Sequence, residues 1–253
     1  MTPLNLLNPY AQCLTNFTPP HVHSDCAVVG SSDGLRILPM GQLIDRHRTV
    51  WRINNAPTVG FEAWVGHQTD VRLINHVSVD VWTKKIPSKV EGRGMHRGRE
   101  FPIELCTHQR CLLVDTGKEH LLQMRKLRLE RPNVTIKAVV GLRKAVSRCM
   151  PQRGSHSAGF LAVILAQRYC ETPVHIYGFM PHCCDRRHAG AYKWPKMNYK
   201  YSHTNQTAGI CCSSGREAMD IEFNHYVTME HKGLVKMHPP GGIWRPIASR
   251  RKL

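Results

Sequence analysis

The chain has 253 residues, 42% of them apolar, and a domain of that size buries about three quarters of the surface that its unfolded chain exposes. Its longest apolar run, residues 160–166, is far shorter than the roughly 20 residues of a membrane span, so we expect no transmembrane helix. The length and composition of the chain also argue against a coiled coil and against a short disulfide-knotted module. Lys and Arg total 35 against 18 Asp and Glu, and the net charge of +17 favours an anionic partner: nucleic acid, an acidic membrane surface, or a phosphorylated or carboxylated small molecule.

Short apolar runs alternate with longer amphipathic stretches along most of the chain. Residues 1–24 are expected to form an irregular lead-in broken by four prolines, and residues 25–253 a single domain. Strands are predicted at 27–29, 49–53, 71–75, 77–82, 112–114, 135–140 and 174–177, and helices at 40–46, 118–130, 142–149 and 160–169. Alternation of this kind is typical of βαβ units, so we predict an α/β fold: one three-layer α/β/α domain with a mostly parallel sheet.

Two loops of small residues follow the pattern of ligand-binding turns. The first, residues 27–34, is a strand that runs into Gly30, Ser31 and Ser32, and a pattern of this kind is more often a plain turn between strand and helix than a nucleotide site. The second, residues 154–159, precedes an apolar helix, whose first N–H groups suit a phosphate. A buried helix capped by a serine explains the second loop equally well.

Polar residues outside these two loops are weaker candidates for ligand binding or catalysis. Asn54 follows a predicted strand and suits either a pyrimidine or ribose contact or an ordinary turn. His225 stands five residues before Glu230, and on one continuous helix the two would lie about 140° apart. If the helix begins near Thr228, His225 lies in the preceding loop, where it could act as a base.

Ten cysteines and three Asn-x-Ser/Thr sequons, at Asn16, Asn133 and Asn205, indicate a secretory protein. The adjacent pairs 183–184 and 211–212 could bind zinc, but they lack the usual spacer between ligands, so disulfide bonding is preferred for these cysteines.

Three segments resemble the motifs of the eukaryotic sialyltransferases. The runs 26–32, 41–45, 52–62 and 65–66 resemble the large sialylmotif, and the stretch from Ser157 to Phe179 resembles the small sialylmotif. Residues 225–230 match the very small motif, His-x-x-x-x-Glu. The resemblance extends over roughly residues 25–238 in the family's order and spacing.

The resemblance implies a variant of the GT-A glycosyltransferase fold that transfers sialic acid from CMP-sialic acid, with inversion and without a metal or other cofactor. It implies that His225 is the general base and that Cys26 and Cys170 form a disulfide. The residues implied to contact the nucleotide sugar are Gly30, Ser31, Ser32, Asn54, Ser157, Ala158, Gly159, Tyr177 and Glu230. The acceptor is expected to be a galactose or N-acetylgalactosamine hydroxyl of a glycoprotein or glycolipid.

The chain departs from the family pattern at several positions. Trp64 stands where the family has Asp, and Ala158 where it has Thr. The third motif is represented by residues 199–201, so Lys200 or His203 is expected to stabilise the leaving phosphate. Two alternatives follow: another nucleotide-sugar donor on the same scaffold, or a catalytically altered basic protein that binds glycans or nucleic acid.

Family members are type II membrane proteins of the Golgi. The resemblance therefore places this chain in the Golgi lumen, with a membrane anchor expected outside the given sequence and no nucleic acid among its partners.

Overall fold

The computed structural model describes most of the expected domain. It covers Leu14 and residues 25–54, 56–75, 112–115, 121–130, 132, 135–151, 155–179 and 217–239. Among the helices in these ranges, none has both the length and the apolar character that crossing a bilayer requires.

The described ranges contain seven strands, six α-helices and one 3-10 turn. The strands are β1 (Cys26–Val29), β2 (Thr49–Ile53), β3 (Val71–Asn75), β4 (Leu112–Asp115), β5 (Ile136–Ala138), β6 (Val174–Tyr177) and β7 (Val235–His238). The helices are α1 (Gly41–Asp45), α2 (Glu62–Val65), α3 (Leu121–Glu130), α4 (Leu142–Cys149), α5 (Ala158–Tyr169) and α6 (Glu217–His231), and the 3-10 turn is Asp33–Ile37.

All seven strands join one parallel sheet in the order β5-β4-β3-β2-β1-β6-β7. Parallel strands need crossover connections, and these bring helices onto both faces of the sheet. The strand order reverses at β1, because β2 lies on one side of it and β6 on the other. Ligands of open α/β sheets bind outside the carboxyl ends of the strands at such a reversal.

The larger core lies on the face covered by α4, α5 and α6. Helix α5 is apolar nearly all round, and its buried residues from Phe160 to Ala166 pack on β1, β2, β3 and β6. Val28, Trp51 and Leu73 supply the sheet side of this core. A helix that is apolar on every side is stable only when it is buried, and this explains the central position of α5.

The opposite face of the sheet carries a second core. Ala27, Val29 and Val50 point to this face because side chains alternate along a strand, and they pack against the 3-10 turn, α1 and α2. Met124 and Leu127 of α3 pack on Ile74 further along. Helices thus cover both faces, and the predicted three-layer α/β/α class is confirmed.

Of the two alternatives left open for the segment around His225, the structure has the continuous helix, because α6 begins at Glu217 and runs unbroken to His231, with no helix start near Thr228. Strand β7 was not predicted. The strand expected at 77–82 lies outside the described residues, as do residues 1–24 except the buried Leu14, so the domain boundary stays a prediction.

Candidate active site

The loops that leave β1 and β6 approach each other closely at the carboxyl edge of the sheet. The Gly30 N–H donates to the Tyr177 carbonyl at 2.7 Å, and a β-carbon on Gly30 would stand 2.6 Å from the carbonyl oxygen of Gly178. Only glycine fits so near another backbone. The structure therefore places Gly30 at the reversal of the strand order, where a ligand is expected.

Ser31 and Ser32 form the turn that follows Gly30, and both are half-buried. The Ser32 hydroxyl oxygen accepts from the Gly34 N–H at 3.2 Å and so caps the 3-10 turn. Its own O–H hydrogen is a separate donor. The two serines lie beside the expected ligand position, and their contact with a nucleotide stays a prediction.

Asn54 directly follows β2 in a left-handed conformation, with φ of 50°, which asparagine tolerates better than most residues. Its Oδ1 accepts from the Asn75 N–H at 3.0 Å, and its carbonyl accepts from the Arg72 guanidinium at 2.7 Å. Buried Arg72 also donates to the Ala56 carbonyl at 3.1 Å. These bonds fix the turn, so the amide NH₂ of Asn54 is the group it would offer to a nucleotide.

The start of α5 meets the end of β2. A β-carbon on Gly159 would lie 3.6 Å from the Ile53 side chain and 3.1 Å from the Phe179 ring. Ser157 caps α5 by accepting from the Phe160 N–H at 3.0 Å. One edge of the sheet therefore carries the ends of β1 and β2 together with the first turn of α5. The two loops predicted to bind a ligand must lie at the same edge if they bind the same molecule.

Glu222 of α6, which the sequence analysis missed, binds the capping serine with both carboxylate oxygens. Oε1 accepts from the Ser157 N–H and Oε2 from the Ser157 O–H, each at 2.6 Å. Glu222 is buried, and charge-assisted bonds of this kind are among the strongest in proteins. Both donors of Ser157 are thus engaged, and the N–H groups of Ala158 and Gly159, in the open first turn, are better placed for a phosphate.

We expect Glu222→Gln to lower the free energy of unfolding by about 1–2 kcal/mol, because two bonds to a buried carboxylate become bonds to a neutral amide. Thermal unfolding measures the loss. Glu230→Gln is the matched control, since Glu230 on the same helix is exposed and, among the described residues, accepts from the Met237 N–H at 2.8 Å. Equal losses in the two variants would contradict the importance of the contact between Glu222 and Ser157.

His225 lies one turn after Glu222, on the same side of α6, and is half-buried. Its ring centroid is 5.6 Å from that of Phe160, near the start of α5. Burial, followed by the repulsion of His156, lowers the pKa of His225 below its ordinary value of 6.5, while Glu222 acts in the opposite direction. The imidazole is therefore neutral at pH 7, the form that can accept a proton.

The structure does not bring Glu230 and Tyr177 to this edge in the way the resemblance implies. Because α6 is continuous, Glu230 does not share a face with His225, and it binds the backbone of β7. The Tyr177 side chain is buried on the other face of the sheet, where its hydroxyl lies 2.8 Å from Nε2 of His47, and burial raises the pKa of that hydroxyl. Tyr177 reaches this edge through its carbonyl, which accepts from the Gly30 N–H.

Other predicted residues lie outside the described part of the chain. These are Lys200, His203 and the sequon residues Asn16, Asn133 and Asn205.

A disulfide joins β1 to the end of α5, as the resemblance implies. Cys26 and Cys170 are bonded with their Cα atoms 6.0 Å apart, and both are buried. The bond therefore connects the segment matched to the large motif with the segment matched to the small one.

The chain is similar in sequence to known proteins. Residues 5–95 match the family described as glycosyltransferase family 29 (sialyltransferase). Alpha-N-acetylgalactosaminide alpha-2,6-sialyltransferase 3 of Rattus norvegicus is 48% identical over 59 residues, which are 23% of this chain and 19% of the rat protein. CMP-N-acetylneuraminate-beta-galactosamide-alpha-2,3-sialyltransferase 1 of Gallus gallus is 28% identical over 209 residues, which are 81% of this chain and 55% of the chicken protein.

The fold is similar to that of the solved structure titled "Crystal Structure of a Mammalian Sialyltransferase", with a TM-score of 0.56 and 20% identity over 92% of this chain and 79% of that one. The edge where Gly30, Asn54 and Gly159 gather is the ligand edge of a doubly wound α/β protein. The matched family and both relatives are sialyltransferases, so this chain is similar to the sialyltransferases of glycosyltransferase family 29.

Proposed function

We propose that this chain transfers sialic acid from CMP-sialic acid to a hydroxyl of a terminal galactose or N-acetylgalactosamine. The observation that carries the proposal is the meeting of the two motif segments at one edge of the sheet, with Gly159 packed against the end of β2 and Gly30 against Gly178. This edge offers backbone N–H groups and the positive end of α5 to an anion. A donor that carries a carboxylate and a phosphodiester matches both this edge and the net charge of +17.

The nucleotide would bind between the turn after β1 and the first turn of α5. The donors for its phosphate are the N–H groups of Ala158 and Gly159, with Ser31 and Ser32 on the opposite side. The Asn54 amide is the group proposed to contact the nucleoside. Because Glu222 already binds Ser157, that serine would position the helix start instead of touching the phosphate.

The reaction would invert the anomeric carbon in one displacement. His225 accepts the proton of the acceptor hydroxyl as its oxygen attacks the anomeric carbon, and the bond from that carbon to the phosphate oxygen breaks. CMP leaves with the bonding electrons, stabilised by the helix N–H groups and, as the resemblance implies, by Lys200 or His203. Each step uses protein groups alone, so no cofactor is required.

The acceptor and location also follow from similarity. The names of the rat and chicken relatives specify N-acetylgalactosaminide and beta-galactosamide, so we propose an acceptor on a glycoprotein or glycolipid that ends in one of these sugars. The Cys26–Cys170 bond needs an oxidising compartment, which supports the Golgi lumen.

The stabilisation of the chain by added nucleotides distinguishes CMP-sialic acid from other nucleotide-sugar donors. We expect CMP at ten times its Kd to stabilise the chain by about 1.4 kcal/mol, seen as a higher Tm, and we expect UDP and GDP at equal concentration to have no effect. A shift with UDP or GDP alone would indicate another nucleotide sugar. Heparin or RNA that displaces CMP at moderate salt would favour a basic binding protein.

The activity itself is tested with CMP-sialic acid and a panel of galactosyl and N-acetylgalactosaminyl acceptors. Sialic acid should appear on at least one acceptor, together with free CMP in equal amount. Hydrolysis of the donor without a sialylated product would contradict the proposed transfer.

A further inference from the structure

Three potential metal ligands gather on the face of the sheet opposite α5. Asp25 immediately precedes β1, His47 precedes β2, and His175 lies in β6 beside β1. One ligand atom from each lies within 4.8 Å of the other two. In a tetrahedral zinc site with bonds of about 2.0–2.1 Å, ligand atoms stand about 3.3 Å apart. Small side-chain movements would therefore bring the three atoms to one ion.

His47 is oriented by its neighbours as metal-bound histidines are. Its Nδ1 lies 2.8 Å from Oδ1 of Asp25, and its Nε2 lies 2.8 Å from the Tyr177 hydroxyl. An ion between Nδ1 and the carboxylate would replace the proton they share. The Nε2–H would then donate to the Tyr177 oxygen, the outer hydrogen bond that fixes the tautomer of a ligand histidine.

His175 has a similar support. Its Nδ1 lies 2.9 Å from Nε2 of His238, which leaves the Nε2 of His175 for an ion. The ring centroids of His175 and His47 are 4.5 Å apart. His238 is held in turn by stacking on Tyr177, with ring centroids 4.2 Å apart and an interplanar angle of 8°.

We propose that Asp25, His47 and His175 bind one zinc ion, with Tyr177 and His238 as the outer partners that orient the two histidines. Two imidazoles and one carboxylate form a common zinc ligand set, and a water molecule completes the tetrahedron. The charge balance is favourable, because the single negative charge of Asp25 partly neutralises the ion and the nearby Lys236 is exposed to solvent.

This site takes no part in the proposed transfer. Asp25 and His47 lie at the amino ends of β1 and β2, whereas the nucleotide edge is at the carboxyl ends. Bound zinc would instead tie β1, β2 and β6 together. A metal at this site would depart from the expectation that the chain binds none, and the proposed ligands include none of the paired cysteines that were considered as zinc ligands.

The test is a titration of the full chain with zinc chloride after treatment with EDTA and dialysis, followed by calorimetry. We expect about one equivalent to bind, and we expect Asp25→Asn and His175→Gln each to weaken binding by about tenfold or more. Asp25→Asn keeps the shape of a half-exposed side chain, so it is the variant least able to disturb folding. Unfolding curves in EDTA that match the parent chain verify this.

His67→Gln is the matched control. Nδ1 of His67 lies 2.7 Å from Asp45, so the pair reproduces the contact of His47 with Asp25 at an exposed place that the described residues do not complete with a third ligand. Its zinc affinity should equal that of the parent chain. Cobalt then reports the ligand type, since thiolate ligands add an intense near-ultraviolet band that imidazole and carboxylate do not. Absence of binding, unchanged affinity in Asp25→Asn and His175→Gln, or a thiolate band with a single equivalent would each overturn the proposal.

Discussion

His225→Ala is expected to lower kcat/KM for sialyl transfer by about 100-fold or more, the usual contribution of a positioned general base. The half-buried ring of His225 stands beside the start of α5, where the donor phosphate is proposed to bind. Removing it takes away the proton acceptor and leaves the N–H groups of that helix intact. Binding of CMP should therefore change little while the rate falls.

The pH dependence gives a second measurement. Because burial lowers the pKa of His225, the neutral base is present from pH 7 down to below 6.5, and kcat/KM of the parent chain should fall only as the pH drops through that lowered pKa. His225→Gln keeps a polar side chain of similar size, but its kcat/KM should no longer fall at acid pH in this way. His231 is an exposed histidine at the end of the same helix, and His231→Ala should keep both the parent value of kcat/KM and its fall at acid pH. Equal rates for His225→Ala and His231→Ala would defeat the assignment of the base.

The sequence predicted the bounds of a strand or helix correctly where its local apolar pattern matches the residues that are buried in the fold. Strands β2, β3 and β6 and helix α4 have the predicted bounds, because each is a continuous apolar or amphipathic run between clear breaks. The extent of helix α6 was left open because its apolar residues alternate with charged ones at no clear period, and its length comes from packing on α5 and β7. Strand β7 was missed for a related reason, since only four residues pair with β6.

The sequence predicted the loops that form the candidate site but not the side chains from distant parts of the chain that hold those loops in place. Glycine and serine turns after a strand are visible locally, so Gly30 and Gly159 were found. Glu222 was not found, because its contact with Ser157 spans 65 residues and no local spacing reports it. Tyr177 shows the converse limit, since its position at a strand end was right but strand alternation turns its side chain to the other face.

Replacing Cys26 and Cys170 together by alanine is expected to lower the free energy of unfolding by about 3–5 kcal/mol. The bond closes a loop with a sequence separation of 144 residues, and the loss of unfolded-chain entropy grows with loop length. Both cysteines are buried in the core between the sheet and α5, so alanine also removes packed sulfur atoms. Thermal and denaturant unfolding of the parent chain and the double variant measure the loss.

Cys149→Ala is the control, because Cys149 is an exposed free cysteine on α4, within the described residues. It should unfold like the parent chain. A peptide map without reducing agent should contain the linked Cys26–Cys170 pair in the parent and in this control. The double variant should also lose CMP binding before it loses helical signal, because the bond anchors β1 to the end of α5, and both elements lead to the nucleotide edge. A double variant as stable as Cys149→Ala, or a parent map with both cysteines reduced, would show that packing alone holds the two motif segments together.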